Sequence, residues 1–156
     1  MSILESSLCP LVAIHFPLQY KDSLLFKVKE KFSPDAYIPS SLLSDGTVSI
    51  TAIITALLFQ NNDVAIFEEP EQGVHPSLIA KLVQLFYEAS QEKQVIITTH
   101  NPEILKHSKI EDLLLVTRDK NGFAVMSRPS EREMVKSFLE SELGIDQLFV
   151  QNLLDV

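Results

Sequence analysis

Apolar positions along the chain fall into two kinds of run. In the short runs every residue is uncharged; in the longer ones apolar residues recur three or four apart. Asp63–Phe67 is predicted as a strand, its apolar part suiting burial on both faces of a parallel sheet, and Gln94–Thr99 as a second. Between them, His75–Ser90 is predicted as a helix, with Pro76 at its first position and a stripe of Leu78, Leu82, Leu85, Phe86 and Ala89. Thr47–Phe59, apolar on most sides, reads as a core helix entered through the turn Ser44-Asp45-Gly46. Asn101 caps a short helix with Pro102 at its first position. Asp112–Thr117 and Phe123–Arg128 read as a hairpin turning at Lys120-Asn121-Gly122. Ser130–Leu143 opens on a capping box formed by Ser130 and Glu133, and a last helix spans Ile145–Leu154.

Strand, helix, strand, helix, strand is the rhythm of an α/β fold: a mostly parallel sheet with crossover helices, followed here by a C-terminal hairpin and helices. Residues 1–40 are the least legible. Leu11–Phe16 suits a strand and Ser23–Phe32 a strand or short helix, while Ser33-Pro34 and Ile38-Pro39 act as breakers. The whole, 1–156, is read as a single domain, with its core motifs in 41–117 and an appendix in 118–156.

Composition narrows the function. A net charge of −8 argues against broad binding of nucleic acid or membrane surfaces by this chain alone. Cys9 is the only cysteine, so no internal disulfide forms and a reducing compartment is expected. The start, Met1 to Ser7, has no basic region and carries Glu5, unlike a signal peptide. The uncharged run Gly46–Asn62 is dotted with threonines and falls short of the about 20 apolar residues of a membrane span. A cytoplasmic protein is expected.

Three segments could carry chemistry. Val64–Phe67 stops abruptly at Glu68, Glu69, Pro70 and Glu71. Carboxylates crowded at the carboxyl end of a strand repel one another where open α/β sheets bind ligands. A cation such as Mg²⁺ with a nucleotide phosphate would relieve them, since hard cations take oxygen ligands. The plainer alternative is a solvated acidic loop. His100 follows the second strand, and neighbouring strands would bring it to the same edge, although a histidine can also end a strand for structural reasons. At Ser44-Asp45-Gly46, backbone N–H groups of a helix start attract anions and Gly46 admits a phosphate closely, although the same residues make an ordinary turn. His15, His75, His100 and His107 show no zinc spacing, and Cys9 has no positional link to a histidine.

In this order the parts resemble the C-terminal half of ABC-type ATPase heads, within the SMC, RecF and OLD-like branch often labelled AAA-type predicted ATPases. Leu43–Thr47 is similar to the signature motif, Val64–Glu69 to Walker B, Glu69–Pro76 to the D-loop region and Ile97–His100 to the switch histidine. The likeness covers about residues 40–117, with a looser one over Leu143–Leu154.

This resemblance implies a P-loop NTPase-like C-terminal lobe that binds and hydrolyses ATP with Mg²⁺. Glu68 would hold the metal through water, Glu69 would be the general base, and His100 would contact the γ-phosphate. Ser44 and Gly46 would act in trans, closing over nucleotide on the opposite head of a homodimer. DNA in the full system would be met through other chains, not by this acidic one, and no membrane contact is implied.

Several departures accompany the resemblance. No Gly-x-x-x-x-Gly-Lys-Ser/Thr occurs, and glycines only at 46, 73, 122 and 144 cannot build a phosphate loop. The chain alone is therefore expected to bind nucleotide poorly. It would be a C-terminal piece, the partner of a P-loop lobe on another polypeptide, or a degenerate relative. Glu68 stands for the usual aspartate, Asp45 for the middle signature glycine, and His75-Pro76 where transporter heads carry aspartate. The competing reading is a non-catalytic half-head that serves as an interaction or regulatory module. A Toprim-type nuclease fits less well, because no Asp-x-Asp pair follows a strand.

Overall fold

The computed structural model describes residues 11–20, 23–30, 37–140 and 143–154, with side chains from position 27 onward except position 30. Met1–Ser7, Cys9 and the Ser33-Pro34 breaker lie outside the described residues. The chain forms two compact units, one ending at Thr98 and the other starting at Thr99.

The first unit opens with an antiparallel sheet in the order β1 (Leu11–Tyr20), β2 (Ser23–Glu30) and β3 (Tyr37–Pro39). The β1–β2 register shifts between His15 and Leu18, the stretch holding Pro17, which has no N–H to give the ladder. Lys29 pairs with Tyr37 across β2 and β3 and places its ammonium 5.9 Å from the ring centre. Pro39 ends the sheet as expected, and one 3₁₀ turn, Ser40–Leu42, leads toward the first helix.

That helix, α1, runs Asp45–Phe59 with Ser44 as its N-cap. Its threonines are not stranded in the core: Thr51 and Thr55 donate their hydroxyls to the carbonyls four residues back, each at 2.8 Å. At the far end, Lys93 Nζ donates to the Leu57 and Gln60 carbonyls at 2.9 and 3.0 Å, closing groups the helix leaves open.

Strand β4 (Val64–Glu68), helix α2 (Pro76–Ala89) and strand β5 (Gln94–Thr98) form the expected β-α-β unit. The two strands are parallel and in register from Val64 opposite Gln94 to Glu68 opposite Thr98. Ile53 and Leu57 of α1 meet Leu82, Leu85 and Phe86 of α2 in one core, onto which Ala65, Phe67, Val95 and Ile97 pack. Phe67 and Phe86 place their ring centres 5.2 Å apart.

Among the described residues, only that face of the strand pair is covered. Ile66, on the opposite face, is 69% exposed, and Val64 and Ile96 share its exposure. Burial on both faces, expected from their apolar run, is therefore corrected: α1 and α2 cover one side alone. Parallel pairing is confined to β4 and β5 among the described strands, within an overall α/β fold.

In the second unit, Asn101 caps α3 (Pro102–Lys106) by accepting the Glu103 N–H at 2.9 Å, as its sequence predicts. The hairpin pairs β6 (Leu115–Arg118) with β7 (Ala124–Ser127). Both strands are shorter than expected. Ile110–Asp112 forms a 3₁₀ turn, and Phe123 gives its N–H to Asp119 Oδ1 at 2.9 Å, outside the ladder.

Helix α4 covers Glu133–Glu140, not Ser130–Leu143. Ser130 sits instead in a 3₁₀ turn started by Pro129 and closed by the Arg132 N–H on the Pro129 carbonyl at 3.1 Å, so the capping box does not form. Helix α5 (Ile145–Val150) also stops short of Leu154. Asn152 adopts φ 56°, and the Leu153 N–H reaches back to the Leu148 carbonyl at 2.8 Å. This reversal lets Leu154 join Val135 and Leu148 in the unit's own core.

Candidate functional site

Because β4 and β5 are parallel and in register, their carboxyl ends finish level, with Glu68 opposite Thr98. Pairing continues one step further through the Glu69 N–H, which bonds the Thr98 carbonyl at 2.8 Å. Glu69 then turns out of the strand at φ 44°, a left-handed conformation uncommon for a residue with a β-carbon. The chain reverses at once: the Gln72 N–H returns to the Glu69 carbonyl at 3.0 Å and the Val74 N–H to that of Glu71 at 2.9 Å. Glu68 is exposed, Glu69 half-buried and Glu71 buried, so three carboxylates leave one strand end at three depths. This donor set suits a hard cation. Among the described residues no three metal-ligating side chains cluster, so Mg²⁺ would need phosphate oxygens to complete its shell.

His75 ends this turn and begins α2. Its Nδ1 accepts the Ser77 N–H at 3.3 Å and lies 2.9 Å from the Ser77 hydroxyl.

Ser44 is exposed at the N-terminus of α1, and its Oγ accepts the Thr47 N–H at 3.2 Å and lies 2.8 Å from Thr47 Oγ1. Asp45 occupies the first turn, where a carboxylate favours the helix dipole but opposes a second anion. Gly46 is buried, unlike its two predecessors: the space a side chain would fill holds the Gly73 carbonyl. The signature-like segment therefore sits against the turn that leaves β4.

His100 belongs to the second unit, two residues along the chain from Thr98. It is exposed and precedes Asn101, whose N–H bonds Thr99 Oγ1 at 3.0 Å. Of the residues singled out from sequence, the first unit holds Glu68, Glu69, Ser44 and Gly46, and seats Gly46 on the turn that Glu69 begins. Gly73 is legible only as part of the D-loop-like segment Glu69–Pro76, and nothing in the sequence points to its contact with Gly46.

A family model described as "AAA domain, putative AbiEii toxin, Type IV TA system" matches residues 12–106, which span every one of these segments. The chain belongs to this AAA-domain family. An uncharacterised protein of Methanocaldococcus jannaschii is 28% identical to the AAA-domain chain over 97 residues, 60% of this chain. The chain spans about a quarter of the length of that curated relative.

Solved SMC ATPase heads share the fold of this AAA-domain chain. A structure from work on ATP-driven dimerization and DNA-stimulated activation of SMC ATPases aligns with a TM-score of 0.64 at 16% identity, covering 90% of this chain and 87% of that one. The Pyrococcus furiosus Smc head bound to the C-terminal domain of ScpA gives 0.61 at 16% identity, covering 90% and 36%. The Thermotoga maritima SMC head gives 0.51 at 18%, covering 74% and 41%. The AAA-domain chain has the fold of SMC ATPase heads. Among its described residues no helix is long and apolar enough to cross a membrane.

Proposed function

We propose that this chain is the signature, Walker B and switch-histidine half of an ATPase head that binds and hydrolyses ATP when two heads close on nucleotide. The observation that carries the reading is the level finish of β4 and β5. It sets Glu68 opposite Thr98 and ties the Glu69 backbone to the Thr98 carbonyl, at the strand ends where open α/β sheets bind ligands. Residues 1–156 would together form one C-terminal lobe, acting in the cytoplasm.

In this reading Glu68, exposed at the strand end, holds Mg²⁺ through water. The metal, when bound, neutralises charge on the transferring phosphate. Glu69 accepts the proton of the attacking water. His100 donates to the γ-phosphate. Ser44 and the helix start at Gly46 meet nucleotide carried by the opposite head. The lysine and phosphate-cradling loop come from an N-terminal P-loop lobe, in the same polypeptide or a partner, as no such motif occurs here.

A specific observation also supports the non-catalytic reading. Ser44 Oγ already accepts a backbone N–H, and Gly46 faces a carbonyl, so both carry structural duties that need no nucleotide. Two measurements on the complete head separate the readings. Glu69→Gln should retain ATP binding and lose turnover, and persisting turnover would place the base elsewhere. Sedimentation should show heavier particles with ATP than without; equal sedimentation counts against nucleotide-driven closure.

A further inference from the structure

Gly73 has no assigned part in the nucleotide chemistry, yet the start of α1 is seated on it. A β-carbon added at Gly46 would run into the Gly73 carbonyl, with the Val74 Cα 3.4 Å away. The reverse fit is close as well: a β-carbon at Gly73 would lie 3.3 Å from the Gly46 nitrogen. Gly73 also holds φ 75°, a conformation that strains residues with side chains. The contact is backbone on backbone, so neither side can yield by turning a side chain. Glu71 and Val74, on either side of the turn, are buried, and hydrogen bonds tie the turn through Glu69 to Thr98.

We propose that Gly73 is a positioning residue: its contact with Gly46 sets the start of α1, and with it Ser44, relative to the Glu68–Glu69 tip of β4. The inference rests on the nucleotide reading of those residues given above. It adds that the segment meeting nucleotide in trans and the hydrolytic carboxylates are held in one backbone register, so displacement of one is delivered to the other. Close-packed backbone transmits such shifts because no void absorbs them.

The test uses the full chain without nucleotide, reading amide hydrogen exchange and backbone resonances. Gly73→Ala is expected to speed exchange at the Thr47 and Val48 amides, which bond Ser44, by about tenfold. It should also move the Glu69 amide resonance and change exchange over Leu82–Phe86 by less than twofold. Gly122→Ala, at φ 84° with open space around it, is the control and should leave all three readouts unchanged. Uniform acceleration including α2 would mean a merely structural glycine and overturn the proposal, as would unchanged Thr47 and Val48 exchange. Gly46→Ala should move the Gln72 and Val74 amides in turn; if it does not fold, Gly73→Ala alone decides. Failure here with ATP turnover intact removes only the positioning role, whereas absence of turnover in the complete head removes the ATPase reading and leaves this contact standing.

Discussion

Glu69 donates its backbone N–H to the Thr98 carbonyl at 2.8 Å while its own φ is 44°, so the residue proposed as general base both extends the sheet and leaves it in a left-handed turn. Such a conformation costs about 1–2 kcal/mol for a residue with a β-carbon, and glycine avoids it at some entropic cost in the unfolded chain. Glu69→Gly is therefore expected to hold or raise stability by up to about 1 kcal/mol while abolishing ATP turnover in the complete head. Urea denaturation beside a turnover assay checks this. A loss of more than about 1 kcal/mol would show that the carboxylate, not the backbone, anchors the turn.

Ser44 offers a way to separate capping from nucleotide contact. Aspartate caps a helix as well as serine does, and alanine costs about 1 kcal/mol. Ser44→Asp should keep the melting temperature and abolish ATP-dependent sedimentation, because a carboxylate repels phosphate. Ser44→Ala should lower stability measurably. Retained ATP-dependent association in Ser44→Asp would confine Ser44 to its cap.

Lys93 closes the end of α1 through the Leu57 and Gln60 carbonyls. Removing its half-buried ammonium by Lys93→Met should cost about 1–2 kcal/mol in chemical denaturation, the range of a charged hydrogen bond at a helix C-terminus. A change under about 0.3 kcal/mol would mean that water replaces it freely.

The two faces of β4 and β5 should respond differently. Leu82 is fully buried in the core that α1 and α2 share, so Leu82→Ala should cost about 2–5 kcal/mol. Ile66→Ser, on the open face, should stay within about 0.5 kcal/mol. Comparable losses at both positions would contradict one-sided burial of the strand pair.

Much of the fold was legible because its signals are local. Pro39, Pro76 and Asn101 act where their chemistry dictates, and the stripe on α2 matches its buried side. Local signals misled where a competing hydrogen bond prevailed. Pro129 drew Ser130 into a turn, and Asp119 drew Phe123 out of its strand. Of the candidate site, residue types and order along the chain could be read, whereas Gly73 gave almost no sign, because its importance lies in a carbonyl meeting another segment.

The amino-acid sequence by itself determined the β-α-β rhythm, the acidic end of β4 and the entry to α1 through Ser44-Asp45-Gly46, all consequences of residue chemistry and spacing. Only the tertiary structure decided that, among the described residues, one face of the strand pair stays open and that Gly46 rests on Gly73. Both depend on segments brought together across long stretches of chain, and the Gly46–Gly73 contact is made by backbone that every residue carries, so side-chain pattern cannot announce it.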